Sequence, residues 1–241
     1  MRKIFRIGLF GASNILERTM GDGFINHPNF IINGLASRSS ERSKILSNKL
    51  KCKRYISYDS LINRDIIDAA YISLPNSMHY EISKKLLNNG IHCLVEKPLA
   101  CKNEQCTEIN ILARRLGLTL METFQFQHHS QFKYIKNKIS NNSLGELRSI
   151  NIKFGFPLIN DVKNIRFKRN LEGGAFLDTG VYISKAACLL TNTIDANILS
   201  NINYINGYEV DMYGSCMIKT TDKISILGSW GFDNSYNEIH P

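Results

Sequence analysis

Four short stretches of this chain hold residue types at spacings suited to chemistry. They are Gly8-Leu9-Phe10-Gly11-Ala12-Ser13-Asn14, Ala36-Ser37-Arg38-Ser39-Ser40, Ser73-Leu74-Pro75-Asn76-Ser77-Met78-His79 and Glu96-Lys97-Pro98. A glycine turn that opens a helix lets a phosphate approach backbone N–H groups at the positive end of the helix dipole. The full dinucleotide pattern is G-x-G-x-x-G; counted from Gly11, Ser13 stands at its second glycine and Leu16 at its third. Ser13 is small enough to admit a pyrophosphate, so Gly8, Gly11, Ala12, Ser13 and Asn14 are candidate cofactor contacts. Taken alone, the stretch reads equally well as a turn joining a strand to a helix.

The second stretch bears on which dinucleotide would bind. NAD sites place Asp or Glu at the end of the second strand to hold the ribose hydroxyls, and a carboxylate there repels a 2′-phosphate. Here Ser37 and Arg38 occupy that place. An arginine among hydroxyls makes charge-assisted hydrogen bonds to phosphate, so NADP is expected in preference to NAD. The alternative is a surface arginine beside a helix cap. In the fourth stretch, Pro98 restrains the backbone of Lys97. As an isolated pair, Glu96-Lys97 reads as a surface ion pair; a reactive role needs a fold that brings it to a ligand.

The elements around these stretches supply that fold. Apolar runs at 4–11, 30–36, 66–74, 91–95 and 118–122 read as strands. Helix candidates at 14–26, 39–50, 79–89 and 103–116 lie between them, with Gly90 and Gly117 as stops. Short, nearly all-apolar strands alternating with helices predict a doubly wound parallel α/β sheet over residues 1–123. The third and fourth stretches then fall at its carboxyl edge, where such folds bind ligands, which adds Leu74 to the candidate contacts. After residue 123 the pattern changes to a helix at 130–141, a strand at 146–155, a helical stretch at 174–190 and strands at 196–204, 209–219 and 223–231. That order predicts a second α+β domain, 124–241, with a mostly antiparallel open sheet.

Composition narrows the function classes. The 241 residues carry a formal charge of +9, but the basic residues are scattered, with short pairs such as Lys84-Lys85 and Arg114-Arg115. That distribution suits an anionic small molecule better than nucleic acid. No run approaches the ~18 apolar residues of a membrane span, and Arg6 with Gly8 interrupts the apolar start, which reads as a strand and not a signal peptide. The six cysteines form no C-x-x-C pair and fit a reducing cytosol, with Cys93, Cys188 and Cys216 expected as small core residues. His128-His129 lack acidic or cysteine partners, so no metal site is expected. Trp230 lies in a strand-like run and is expected to pack.

The glycine turn, L-P-N-S-x-H, V-E-K-P-L-A and the later G-G-A-x-L-D-x-G-x-Y together resemble the glucose-fructose oxidoreductase/inositol dehydrogenase (Gfo/Idh/MocA) family from residue 4 to about 238. Within it, Met121-Glu122, Phe126-x-His128-His129, Ile165-Arg166-Phe167, Gly180-Val181-Tyr182 and Phe232-Asp233-Asn234-Ser235-Tyr236 are most similar to the nucleotide-sugar 3-ketoreductases of deoxysugar pathways. The resemblance implies a Rossmann domain followed by a domain whose open sheet faces the nicotinamide, and NADP-dependent hydride transfer at a sugar carbon. It implies catalytic roles for Lys97, Asp178 and Tyr182, and cofactor-lining roles for Asn76, His79, Glu96, Gln125 and Arg166. It also implies a sugar or nucleotide-sugar substrate and a homo-oligomer formed through the open sheet. A ketone taking hydride develops negative charge on oxygen and then needs a proton. Tyr182 suits the acid, with Lys97 as the cation that eases its ionisation; the reverse assignment stays open.

Members of the family are longer by roughly a third of this chain on the usual length prior. The last sheet strands and a closing helix are therefore expected to be missing, and the second domain to be incomplete. An alternative function follows: a shortened, inactive relative that binds a nucleotide or a partner chain.

Overall fold

A computed structural model of the chain describes residues 4–158, 161, 163–193, 195–232 and 237–240, the last four by their backbone alone. Its contacts divide into two units, Met1–Thr123 and Phe124–Pro241.

The first unit contains β1 (Phe5–Phe10), a π-helical turn (Leu16–Met20) running into α1 (Gly21–Asn26), β2 (Phe30–Ala36), α2 (Ser40–Lys49), β3 (Lys53–Tyr55) and β4 (Ala69–Ile72). It continues with α3 (Asn76–Asn88), β5 (His92–Glu96), α4 (Asn103–Arg115) and β6 (Leu120–Thr123). All six strands pair in parallel, in the order β3-β2-β1-β4-β5-β6. This is the doubly wound order that reverses direction between β1 and β4. Alternation along the strands explains the two helical layers. Leu9, Leu35 and Tyr71 pack with Phe24 and Leu46 on one face; Phe10, Ala36 and Ile72 pack with Ile82, Leu86 and Ile109 on the other. Each such burial contributes about 1.5–3 kcal/mol, which is why neither face tolerates polar alternation. The sixth strand, β3, was not expected: Lys-Arg-Tyr has no apolar run, and its pairing to the edge of β2 is a backbone matter.

An ion-pair cluster ties β1 to the approach to β4. Arg6 Nε and Nη2 donate to the Asp68 carboxylate at 3.0 and 2.9 Å, the Arg6 backbone N–H donates at 2.9 Å, and Arg64 lies 3.4 Å away. The bonds from Arg6 hold the Asp68 carboxyl at about 2, below the ordinary ~3.9 of a free aspartate. A depressed folded-state value contributes stability that is complete above the unfolded value and is lost as pH falls through the folded one. The urea midpoint of the protein should therefore drop as pH falls from about 4 to about 2, and Asp68→Asn should lower the midpoint at neutral pH and flatten that drop. An unchanged profile in the variant would contradict the assignment.

The second unit holds α5 (Ser130–Ser140), β7 (Ser149–Gly155), a π-helical turn (Phe176–Gly180) leading into α6 (Val181–Thr191), β8 (Ala196–Tyr204), β9 (Asp211–Thr220), β10 (Ser225–Gly231) and β11 (Asn237–His240). The sheet order is β11-β7-β10-β9-β8, antiparallel except for the β7/β10 pair. Phe132, Ile152, Ile183, Ile226 and Trp230 form the core between one face and the helices. On the other face, Leu199, Met217 and Leu227 are in register across β8, β9 and β10 and are exposed. Cys188 is exposed on α6, which corrects its expected place in the core: the apolar run around it is amphipathic at helical period, and Cys188 falls on the outer side. Asp233–Tyr236 lie outside the described residues.

Candidate functional site

In the first unit the sequence-derived candidates collect at the carboxyl ends of β1, β2, β4 and β5. Gly11 follows β1 with φ +99°, a left-handed conformation, and a Cβ built there would stand 2.7 Å from the Ser73 carbonyl oxygen. The turn therefore needs glycine twice over, for its backbone and for its closeness to the strand across the switch point. Gly11 N–H donates to the Ala36 carbonyl at 2.9 Å and Ser73 N–H to the Phe10 carbonyl at 2.9 Å, which joins the three strand tips. Gly11→Ala should cost about 1–3 kcal/mol of stability, read as a lower urea midpoint; a wild-type midpoint would remove this reading of the turn.

Ser13 Oγ accepts the Leu16 N–H at 3.2 Å, so the helix entry is ordered by the residue that replaces the second glycine. Gly8 lies inside β1, where a Cβ would collide with Ile67; its smallness serves packing. Beyond β2, Ser37 is buried with its Oγ accepting the Ser39 N–H at 3.3 Å, and Arg38 is exposed. Arg42, on the first turns of α2, donates to Asn14 Oδ1 and to Glu17 Oε2. A second guanidinium thus adjoins the glycine turn, a residue sequence reasoning passed over; its four-residue spacing from Arg38 was the available signal. A glycine cradle closed to any Cβ, an exposed arginine in place of an acidic residue and a helix entry beside them fit a phosphorylated dinucleotide.

Lys97 directly follows β5 and is half-buried; its peptide bond to Pro98 is cis. Glu96 accepts the Tyr71 hydroxyl at 2.6 Å. His79 is buried on α3, with Nδ1 at 2.7 Å from the Pro98 carbonyl oxygen and Nε2 at 2.8 Å from that of Leu74. Burial pushes its pKa down. Asn76 opens α3 at the tip after β4.

In the second unit, Tyr182 and Gln125 line one cavity of about 490 Å³, with Phe126, His129, Lys153 and Phe154 among its walls. The Tyr182 ring stacks on Phe154 (4.3 Å, 25°) and meets Phe124 edge-on (5.3 Å, 87°). His129 Nδ1 accepts the Gln131 N–H at 3.2 Å, so a neutral ring carries its proton on Nε2. Asp178 and Arg166 do not line this cavity. The buried Asp178 accepts Arg166 Nε at 2.5 Å, and the guanidinium lies over Phe156. The D-x-G-x-Y segment is anchored from β9: Asp211 Oδ2 accepts the Phe176 N–H at 2.7 Å, and Gly174, at φ +117°, passes where any Cβ would strike Asp211. Burial raises the Asp211 pKa. His129 belongs to the Phe126-x-His128-His129 stretch that resemblance singled out, whereas Asp211 had no periodicity or motif that could assign it.

A parallel sheet with a glycine-turn switch point, followed by a unit with a mixed sheet and D-x-G-x-Y at the entry to α6, defines a dinucleotide-dependent oxidoreductase architecture. Residues 5–124 match the oxidoreductase family with NAD-binding Rossmann fold (Gfo/Idh/MocA) and residues 132–240 match the Gfo/Idh/MocA C-terminal domain; the chain belongs to this family. It is 34% identical over 188 residues to the dTDP-3,4-didehydro-2,6-dideoxy-alpha-D-glucose 3-reductase of Streptomyces violaceoruber, covering 78% of this chain and 55% of that protein. It is 34% identical over 242 residues to the reductase of the same name from Saccharopolyspora spinosa, covering 100% of this chain and 72% of that one. Its fold is similar to that of KijD10, a 3-ketoreductase from Actinomadura kijaniata crystallised with NADP and TDP-benzene (TM-score 0.93, 29% identity, 98% of this chain and 73% of that chain). The chain thus spans little more than half of the Streptomyces relative's length.

Proposed function

We propose that this chain is an NADP-dependent oxidoreductase that reduces a keto group on a nucleotide-linked deoxysugar. The observation that carries the reading is the pairing, in one sheet edge, of the Gly11 cradle and exposed Arg38 with Lys97 at the tip of β5. The kinship to dTDP-sugar 3-reductases supports the substrate class. NADPH, when bound, supplies a hydride to the keto carbon. Gly11, Ala12, Ser13 and Asn14 receive the pyrophosphate at the helix entry, and Ser37 with Arg38 holds the 2′-phosphate. Leu74, Asn76 and Glu96 lie at the same carboxyl edge of the parallel sheet and line the dinucleotide. As the carbonyl π bond opens, Tyr182 donates its hydroxyl proton to the oxygen and Lys97 offsets the negative charge there. Arg166, oriented by Asp178, and Gln125 contribute to ligand contacts.

The cavity under Tyr182 has aromatic walls and the polar tips of Gln125 and His129, a composition suited to a sugar carrying apolar deoxy positions. The exposed Leu199, Met217 and Leu227 row supports self-association through the open sheet. Among the described residues no helix is long and apolar enough to cross a membrane. The test is loss of NADPH absorbance on adding a dTDP-linked 3-keto-2,6-dideoxy sugar, with GDP- and UDP-linked sugars alongside. Turnover with the dTDP sugar is the expected result. NADPH binding without turnover on any keto sugar would overturn the proposal.

A further inference from the structure

Three of the four residues from Glu96 to Leu99 are gripped from three neighbouring elements. From β4, the Tyr71 hydroxyl donates to Glu96 Oε1 at 2.6 Å. From α3, the His79 ring reaches the Pro98 carbonyl at 2.7 Å and, on its far side, the Leu74 carbonyl at 2.8 Å. From β6, the Glu122 carboxylate accepts the Leu99 N–H at 2.8 Å. We propose that Tyr71, Glu122 and His79 are positioning residues, which together lock the Glu96–Leu99 turn so that Lys97 is presented in one geometry.

Packing alone does not account for these groups. Tyr71 is fully buried within the core layer formed with Leu9, Leu35 and Phe24, where a phenylalanine would fill the same space without placing a hydroxyl in the interior. Its phenol is kept protonated by burial and by the Glu96 carboxylate, so it is a donor at every working pH. His79 is similarly buried, and its ring lies between the Pro98 and Leu74 carbonyls; burial favours the neutral ring, whose single N–H donates to one of them at a time, a bond no aliphatic residue can supply. Glu122 lies on the last strand of the sheet and satisfies an N–H that the turn after β5 removes from the ladder. The three bonds act on the residue before Lys97 and the two after it. They therefore fix the backbone that carries the lysine.

This inference rests on the reading of Lys97 as part of the active site, and the experiment separates the two. Tyr71→Phe, Glu122→Ala and Glu122→Gln are compared with Lys97→Ala and wild type. The first readout is hydrogen exchange of the 96–100 backbone in the chain without cofactor; the second is kcat and KM for NADPH. Glu122→Ala should speed exchange of that segment about tenfold. Tyr71→Phe and Glu122→Ala should lower kcat about ten- to a hundredfold with KM for NADPH within about threefold, because a displacement of order 1 Å costs that much. Glu122→Gln keeps a carbonyl acceptor and should restore both readouts. Wild-type exchange and kcat in Tyr71→Phe and Glu122→Ala, with Lys97→Ala inactive, would overturn the clamp alone. Full activity of Lys97→Ala would overturn the catalytic reading, and with it the purpose of the clamp.

Discussion

Tyr182→Phe should lower kcat about 10²–10⁴-fold, the usual contribution of a positioned proton donor, while leaving KM for NADPH near its wild-type value. The substitution removes one hydroxyl and little else. The phenyl ring keeps its stack on Phe154 at 4.3 Å and its edge contact with Phe124 at 5.3 Å, so the aromatic wall of the cavity persists. A melting temperature close to wild type would show that the loss is chemical and not structural. Lys97→Ala should produce a loss of similar order, since the charge growing on oxygen is then met by no cation from β5. Because the two residues are assigned to one proton transfer, the double variant should lose little more than either single one; such non-additivity is the mark of groups that act together. A Tyr182→Phe enzyme with near-wild-type turnover would remove the tyrosine from the mechanism and return the acid role to Lys97.

The second large effect concerns the cofactor's phosphate. Arg38→Ala should raise Kd for NADP by about 10–100-fold, the value of one or two hydrogen bonds between charged partners, and change Kd for NAD less than about threefold. The contrast follows from position. Arg38 is exposed just past β2, with the buried Ser37 hydroxyl beside it and no carboxylate from Ala36 to Ser40. Arg42 remains in the variant, tied to Asn14 and Glu17, so some preference for NADP should persist and disappear in the double variant with Arg42→Ala. Added salt should weaken NADP binding more than NAD binding, since exposed charges are screened. Isothermal titration with both dinucleotides checks each of these statements. Equal affinities for NADP and NAD in the wild-type chain would refute the assignment of the Arg38 site.

Much of the architecture is written in local pattern. The strand at 30–36 follows from its apolar run between turn residues, and β2 covers those residues; the run at 196–204 likewise coincides with β8. What escaped was structure held by partners remote in sequence. β3 is three residues of Lys-Arg-Tyr whose only reason to be extended is the free edge of β2. The parallel β7/β10 pair joins residues about seventy-five positions apart, and nothing in either strand announces that direction. The helices at 14–26 and 174–190 each begin in a π-helical turn, where one extra residue per turn leaves no compositional trace.

The site shows the same division. Gly11, Arg38 and Lys97 stand out by residue type beside a strand end. Tyr71 reads as one more apolar-run aromatic, because its hydroxyl partner lies twenty-five residues on, at the end of the next strand. Glu122 and Asp211 each spend a carboxylate on a distant backbone N–H, a use that spacing cannot reveal. Asp178, singled out by its motif, is engaged by Arg166 and does not line the cavity that Tyr182 lines.

The most direct test follows the hydrogen itself. Incubating the chain with NADPH carrying deuterium at the transferable position and a dTDP-linked 3-keto-2,6-dideoxy sugar, then analysing the product by NMR, shows where the label goes. One deuterium on the reduced sugar carbon, in amount equal to the NADPH oxidised, is the predicted outcome. An unlabelled sugar recovered unchanged, although NADPH binds, would contradict the assignment of hydride transfer to this chain.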